Sequence, residues 1–262
     1  MNFSALIGNP VGHSIGQDIY NSLFMDYGID SMYIAIDLHR KNLPRFFDLS
    51  RGNIEGFNIT APYKEESIQF IDYADKIVSD TGSVNLVKNQ GGKLYGYNSD
   101  YAGFMMLARK NNIDFSGKNV IIMGTGGAAR TVAYSIMQNY NSNISIVSRN
   151  PGEKKIYGIA TTGYNDIKEY DIIINCTPLG TFPDTGMPIP ENMIHNGITG
   201  IDLVYNPSRT PFLKIVEKSG GIPVNGEDMF IGQGIETLKK IYGITVDYEK
   251  FYDIFHENLR SK

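Results

Sequence analysis

One cysteine, Cys176, stands in 262 residues. An intrachain disulfide framework is therefore excluded, and no thiolate metal cluster can be built from this chain alone. Histidine is scarce as well: positions 13, 39, 195 and 256 hold the four, with neither HxH nor HExxH spacing, so no catalytic metal is expected. No apolar run reaches the roughly 18 residues of a membrane helix, and the opening MNFSALIGNPVGHS has neither a basic lead nor an unbroken apolar stretch. The expectation is a cytoplasmic protein, neither exported nor inserted in a membrane. Basic blocks longer than a residue pair are missing, and 24 basic against 28 acidic residues leave a net charge of −4, which argues against nucleic acid as a partner. Internal repeats and low-complexity tracts are also absent. The oligomeric state is not legible, and monomer and homodimer both stay open.

What is present is an ordinary globular balance, 42% apolar and 20% charged residues, enough to cover a core and leave a soluble surface. The first hundred residues alternate strand-like and helix-like pieces. Strands are expected at Phe3–Ile7, Met32–Leu38 and Ile54–Ile59, helices at Gly16–Asp26, Leu43–Leu49 and Lys64–Phe70, and a hairpin from Ser83–Lys88 and Lys93–Tyr97 joined through NQGG. Such alternation implies a mostly parallel sheet covered on both faces. Asn98-Ser99-Asp100 reads as the cap of a helix running toward Lys110. The polar stretch NNIDFSGKN then precedes a second set: strand Val120–Met123, helix Ala128–Gln138, strands Ile144–Val147, Ile172–Asn175 and Ile201–Val204, helix Pro211–Lys218, and two closing helices around Met229–Ile241 and Tyr248–Leu259. The expected architecture is two α/β domains with a cleft between them, a common place for a ligand site.

The strongest local motif is NVIIMGTGGAARTVAY. Four apolar residues deliver the chain into Gly124-Thr125-Gly126-Gly127, and a small-residue helix follows at once. Gly124 suits a sharp turn, Gly126 lets a pyrophosphate approach the backbone, and Gly127 or Ala128 keeps the helix close to the sheet. A phosphate there meets unpaired N–H groups at the helix start. The next strand ends in SRNPGEKK, where an NAD site usually carries an acid. Ser148, Arg149 and Asn150 stand there instead, with Lys154 and Lys155 close behind, so NADP is the expected cofactor, Arg149 forking onto its 2′-phosphate. The plain alternative is a solvated basic loop, which Glu153 keeps open.

Other polar residues cluster at the ends of apolar segments: Asn58, Thr60 and Lys64 in GFNITAPYK, Asn85 in SVNLV, Asp100 in GYNSD. In a parallel sheet such ends converge on one rim. Taken singly, Lys64 reads as a surface lysine and Asp100 as a helix cap. A lysine near a carboxylate nevertheless suits proton exchange beside a hydride acceptor.

Taken in order, GNPVGHS, GFNITAPYK, SVNLV, YNSD, GTGGAAR, SRN, NCTPLGT, DLVYNPSRTPFL and EDMFIGQGIE resemble the shikimate dehydrogenase family over nearly the whole chain. The resemblance implies an NADP-dependent oxidoreductase that reduces 3-dehydroshikimate to shikimate in aromatic amino acid biosynthesis, its substrate a small ring bearing a carboxylate and hydroxyls. It implies Lys64 as the catalytic lysine with Asp100 as its carboxylate partner, and Ser14, Thr60, Asn85, Tyr205 and Gln233 as further substrate contacts. For the cofactor it implies Gly124, Gly126, Gly127 and Ala128 at the phosphate turn and Arg149 at the 2′-phosphate. Asn175 and Thr177 would line the adenosine side, with Val204, Gly226 and Met229 near the nicotinamide. The substrate domain would be discontinuous, residues 1–100 completed by 227–262, with 101–226 the Rossmann-like NADP-binding domain. Two departures bear on substrate choice. The family's HSxSP is HSIGQ here, so Gly16 offers no hydroxyl to the carboxylate, and a threonine common after the SVN asparagine is missing. A quinate or related cyclohexane-carboxylate dehydrogenase is therefore the alternative, with a non-catalytic NADP-binding sensor behind it.

Overall fold

The computed structural model describes residues 2–12, 14–182 and 185–260; His13 lies outside them. The chain forms two compact units, Met1–Ser99 with Ile231–Lys262, and Asp100–Phe230. No helix among the described residues is long and apolar enough to cross a membrane.

The first unit carries strands β1 (Asn2–Gly8), β2 (Ser31–Asp37), β3 (Ile54–Ile59), β4 (Tyr73–Ala74), β5 (Leu86–Gln90) and β6 (Lys93–Tyr97) in the order β2-β1-β3-β5-β6-β4. β1 lies between two parallel neighbours, whereas β3, β5 and β6 pair antiparallel. Strand periodicity divides the residues between two faces. On one, Ala5, Ile7, Phe57 and Ile59 join Leu43, Phe46 and Phe47 of helix α2 (Leu43–Asn53) in one core. On the other lie helix α1 (Gly16–Asp26) and the pair that ends the chain. Gly56 on β3 makes room for the latter: a Cβ there would stand 2.6 Å from Ile241.

One expectation fails in this unit. Residues 64–70 were expected to be an α-helix, yet only a 3-10 turn forms, Glu66–Phe70. The carbonyl of Lys64 accepts from the Val84 N–H at 2.9 Å, which draws it out of any helical ladder. The chain then adds β4 and a short helix α3 (Lys76–Thr81), capped by Asp75, neither of which has an apolar repeat long enough to read. The hairpin forms as a tight one: Gly91 and Gly92 both adopt positive φ, 60° and 82°, as a two-residue connection requires.

In the second unit helix α4 (Ser99–Lys110), whose first residue belongs to the first unit, leads to strands β7 (Asn119–Met123), β8 (Asn143–Val147), β9 (Lys155–Ile156), β10 (Ile159–Thr162), β11 (Ile172–Asn175), β12 (Thr199–Asp202) and β13 (Ile222–Val224). Their order is β13-β12-β11-β7-β8-β10-β9, and all pairings except β9–β10 are parallel. Helix α5 (Gly127–Asn139) joins α4 over Val120, Ile122, Ile146 and Ile174, and helix α6 (Pro211–Lys218) packs the opposite side against Ile121, Met123 and Ile173. β12 ends two residues earlier than expected, because the Asp202 carboxylate accepts from the Val204 N–H at 3.1 Å and turns the chain.

Helices α7 (Glu227–Tyr242) and α8 (Tyr248–Arg260) close the chain, the division between the units falling inside α7. In the first unit Tyr20 of α1 stacks on Tyr33 of β2 at 4.3 Å and meets Phe251 of α8 edge-on. A Cβ at Gly234 would stand 2.4 Å from that Phe251 ring, so α7 and α8 touch closely there.

Candidate active site

In the first unit the polar residues singled out in the sequence gather at one rim of the sheet. The loop after β1 and the loop after β3 are tied together, Asn9 N–H to the Ala61 carbonyl at 3.2 Å and Thr60 N–H to Ile7 at 2.9 Å. Ser14 ends the first of these loops. Its N–H donates to Val11, and its Oγ accepts from the Gly16 N–H at 3.2 Å. Thr60 and Lys64 lie on the second loop, both half-buried. Because β5 runs antiparallel to β3, its start lies at the same rim and brings Asn85 there, where the Asn85 carbonyl accepts from Ile59 at 2.8 Å.

Beneath the rim runs a buried chain of side-chain hydrogen bonds. The Tyr33 hydroxyl donates to Asn58 at 2.8 Å, Asn58 Nδ2 donates to Thr237 at 3.1 Å, and the Thr237 hydroxyl donates to the carbonyl of Gln233 one turn earlier on α7. Gln233 is thereby held to the same rim. Asn85 is 2% exposed and anchored by Ser99, whose N–H donates to Asn85 Oδ1 at 2.7 Å while Asn85 Nδ2 donates to the Ser99 hydroxyl at 3.0 Å. Asp100, buried at 5% exposure, follows Ser99 directly in the chain and opens the second unit.

The substitutions at positions 16 and 17 also have a place. Gly16 is buried as the first residue of α1, and Gln17 Oε1 accepts from the Ala35 N–H at 2.8 Å. One turn on, Asn21 accepts from Tyr33 N–H at 2.8 Å and donates to the Tyr33 carbonyl at 2.9 Å. The two side chains cap the outer edge of β2, which no strand covers. Gln17 is thus directed at the sheet edge.

In the second unit the chain passes from β7 outward through β8 and β10, then returns to β11 on the far side of β7. The carboxyl ends of β7 and β11 therefore flank a topological switch point, the usual ligand crevice of an open α/β sheet. Gly124 has φ 113° there, and a Cβ would meet the Cys176 carbonyl and Thr177 at 3.3 Å. Gly126 is exposed with open space around it and starts α5 without a side-chain cap, so the first N–H groups of the helix have no intrahelical acceptor. Residues of this kind fit a dinucleotide diphosphate. The small residue that lets the helix lie on the sheet is Ala129, fully buried in the core. The role falls one residue beyond the expected Gly127 or Ala128: spaced as Gly124, Gly126 and Ala129, the turn follows GxGxxA.

Backbone bonds continue along this rim: Gly124 N–H to Val147, Cys176 N–H to Met123, Leu203 N–H to Asn175, Gly226 N–H to Val204, all between 3.0 and 3.1 Å. They align Gly124, Ser148, Thr177, Val204, Tyr205 and Gly226. Gly226 admits no larger residue without movement, since a Cβ would lie 2.1 Å from the Leu203 carbonyl oxygen. Met229 is buried against the α4/α5 core. Ser148 Oγ accepts from the Asn150 N–H at 3.2 Å, and Arg149 and Asn150 are exposed.

The resemblance implies Asn175 on the adenosine side of the cofactor. It is fully buried, and its carboxamide is engaged throughout. Nδ2 donates to the Leu179 carbonyl and to Asp202 Oδ1, and Oδ1 accepts from the N–H and hydroxyl of Thr177. Asp202 in turn accepts from the hydroxyl of Thr210, the cap of α6, at 2.7 Å. This knot joins the loops after β11 and β12, and no composition or spacing signal marked Asp202. Burial pushes its carboxyl up to about 6, against the pull of its hydrogen bonds from Thr210, Val204 and Asn175. Burial likewise pushes the Cys176 thiol up, which disfavours the nucleophilic thiolate.

A parallel sheet with a GxGxxA turn at its switch point, joined to a second α/β unit with a lysine and carboxamides on its rim, defines a dinucleotide-binding protein of the Rossmann type. The family described as the shikimate dehydrogenase substrate binding domain matches residues 6–87. The NADP+ shikimate dehydrogenase of Thermoplasma acidophilum is 44% identical over 246 residues, covering 92% of this chain and 91% of that one. Shikimate dehydrogenase 1 of Peptoclostridium difficile superposes with a TM-score of 0.91 at 30% identity over 98% and 97% of the two chains. Another shikimate dehydrogenase, solved in complex with NADP+, does so with a TM-score of 0.88 at 31% identity over 98% and 95%. The chain belongs to the shikimate dehydrogenase family.

Proposed function

We propose that this protein catalyses the reversible NADPH-dependent reduction of 3-dehydroshikimate to shikimate. The observation that carries the reading is the 44% identity that runs through both units to an NADP+ shikimate dehydrogenase. The rim of the first unit, with α7, takes the ring, and the glycine turn of the second takes the cofactor. NADPH, when bound, supplies a hydride to the ring carbonyl carbon. Lys64 holds a proton at Nζ for the oxygen on which negative charge develops, stabilising that charge before delivering the proton. Asp100 takes a ring hydroxyl. Asn85, held in one direction by Ser99, and Gln233, held by Thr237, take further hydroxyls, with Thr60 and Tyr205 bounding the ring. Ser14 donates to the carboxylate. Arg149, Ser148 and Asn150 hold the adenosine 2′-phosphate, and Val204, Gly226 and Met229 shape the nicotinamide end.

Steady-state assays with shikimate and quinate against NADP and NAD test the reading. Turnover is expected with shikimate and NADP. Lys64→Ala should lower kcat by about 10²–10⁴ while NADPH still binds, followed by its fluorescence. The observation favouring a second reading is Gly16, which offers the substrate carboxylate no hydroxyl. Preference for quinate would move the assignment to that ring, and silence with both acids despite tight NADPH binding would leave only a sensor.

A further inference from the structure

Arg130 closes the GTGGAAR motif and carries a buried side-chain donor with an unmet need. It lies one turn into α5, its backbone N–H bonded to the Gly126 carbonyl at 3.1 Å. Its side-chain Nε is buried, and among the described residues no atom accepts its hydrogen. Buried donors in native proteins are almost always paired, so an orphan of this kind calls for an acceptor from outside the chain.

Helix geometry says where that acceptor sits. Ala129 points into the sheet, and at about 100° per residue Ala128 and Arg130 flank it on opposite sides. The flank that Arg130 takes is marked by Tyr157, which stands in the turn between β9 and β10. The Tyr157 hydroxyl donates to the Arg130 carbonyl at 3.1 Å, and its ring lies 6.1 Å from that of Tyr134, one turn further along the same face. β9 and β10 are the strands beyond β8, so Arg130 lies on the β8 side of the glycine turn. A long helical side chain also leans back toward the helix start, here over Gly126 and Gly127, which have no side chains to obstruct it. The guanidinium is therefore carried toward the end of β8, where Ser148, Arg149 and Asn150 begin the basic loop.

We propose that Arg130 is a cofactor-binding residue that recognises the 2′-phosphate of NADP, its Nε–H and a terminal N–H forking onto phosphate oxygens from the helix side while Arg149 approaches from the loop. This inference rests on the NADP reading above and adds a second, helix-borne determinant of the preference for NADP over NAD. A guanidinium is suited to the task because its planar donors match a phosphate face, which a lysine ammonium does not reproduce.

The test is direct titration of NADPH and NADH by nicotinamide fluorescence, without turnover, on wild type, Arg130→Gln and Arg130→Lys. Losing a charged, bidentate contact should weaken NADPH by roughly ten- to a hundredfold in Arg130→Gln, with NADH unchanged and Arg130→Lys between the two. Unchanged NADPH affinity in Arg130→Gln overturns the proposal, and so does equal weakening of NADPH and NADH, which would mark a diphosphate or purely structural role. Wild type that binds no NADPH would instead overturn the cofactor reading itself, so the two failures are told apart.

Discussion

Replacing Asp202 by asparagine should make the protein's stability less sensitive to pH, by an amount that the surroundings of the carboxylate fix. Asp202 is fully buried and accepts three hydrogen bonds, from Asn175 and Val204 on Oδ1 and from Thr210 on Oδ2. An asparagine can keep all three contacts: Oδ1 still accepts twice, and Nδ2 donates to the Thr210 oxygen. What changes is the charge. Burial raises the carboxyl from 3.8 to about 6. A group whose folded value is raised contributes stability that is fully present below the unfolded value and is lost as pH climbs through the folded one. The full loss is about 3 kcal/mol, of which about 1.4 kcal/mol falls between pH 5 and pH 8. The asparagine variant lacks this loss. Urea unfolding of both proteins, followed by far-ultraviolet circular dichroism from pH 5 to pH 8, should show the variant gaining on wild type by that smaller amount. A gap that stays constant with pH would refute the argument, because it would mean that Asp202 does not change its ionisation in this range.

Two further substitutions probe the rims. Gly226→Ala forces a Cβ against the Leu203 carbonyl, so we expect a loss of about 2–3 kcal/mol in stability, read as a lower Tm, together with weaker NADPH binding by fluorescence titration. Gly16→Ser places a hydroxyl beside Ser14 at the head of α1; it should lower the KM for shikimate by roughly tenfold, as one added hydrogen bond to an ionised carboxylate does, with kcat and NADPH affinity unchanged.

Much of the fold was legible because its signals are local. Helix α1 and strand β3 begin and end where their apolar periodicity and flanking polar residues place them, and β7, the glycine turn and α5 follow one another with little room for another reading. The segments that eluded sequence reasoning depend on partners far along the chain. Lys64 sits in a helix-like run, yet its carbonyl is taken by Val84; the short strands β9, β10 and β13 acquire meaning only as additions to a sheet already formed.

The same division runs through the candidate site. Residue types at strand ends pointed to Thr60, Asn85 and Gly124, but a type does not say whether a side chain faces a ligand or its own protein. Asn175 and Asn85 look alike in sequence, each an asparagine at the end of an apolar segment. Both carboxamides are engaged within the protein, that of Asn175 by Thr177, Leu179 and Asp202 and that of Asn85 by Ser99 at the rim of the first unit. Gln17 shows the converse. Where the family usually carries proline, the glutamine accepts from Ala35 and, with Asn21, occupies the open edge of β2, so the change at position 17 belongs to the sheet. On the proposed function, the loss of a hydroxyl at Gly16, one residue earlier, is the change that bears on the substrate. That is why Gly16→Ser separates the two contributions: if it leaves the KM for shikimate untouched, Ser14 and the backbone at the head of α1 already suffice to hold the carboxylate.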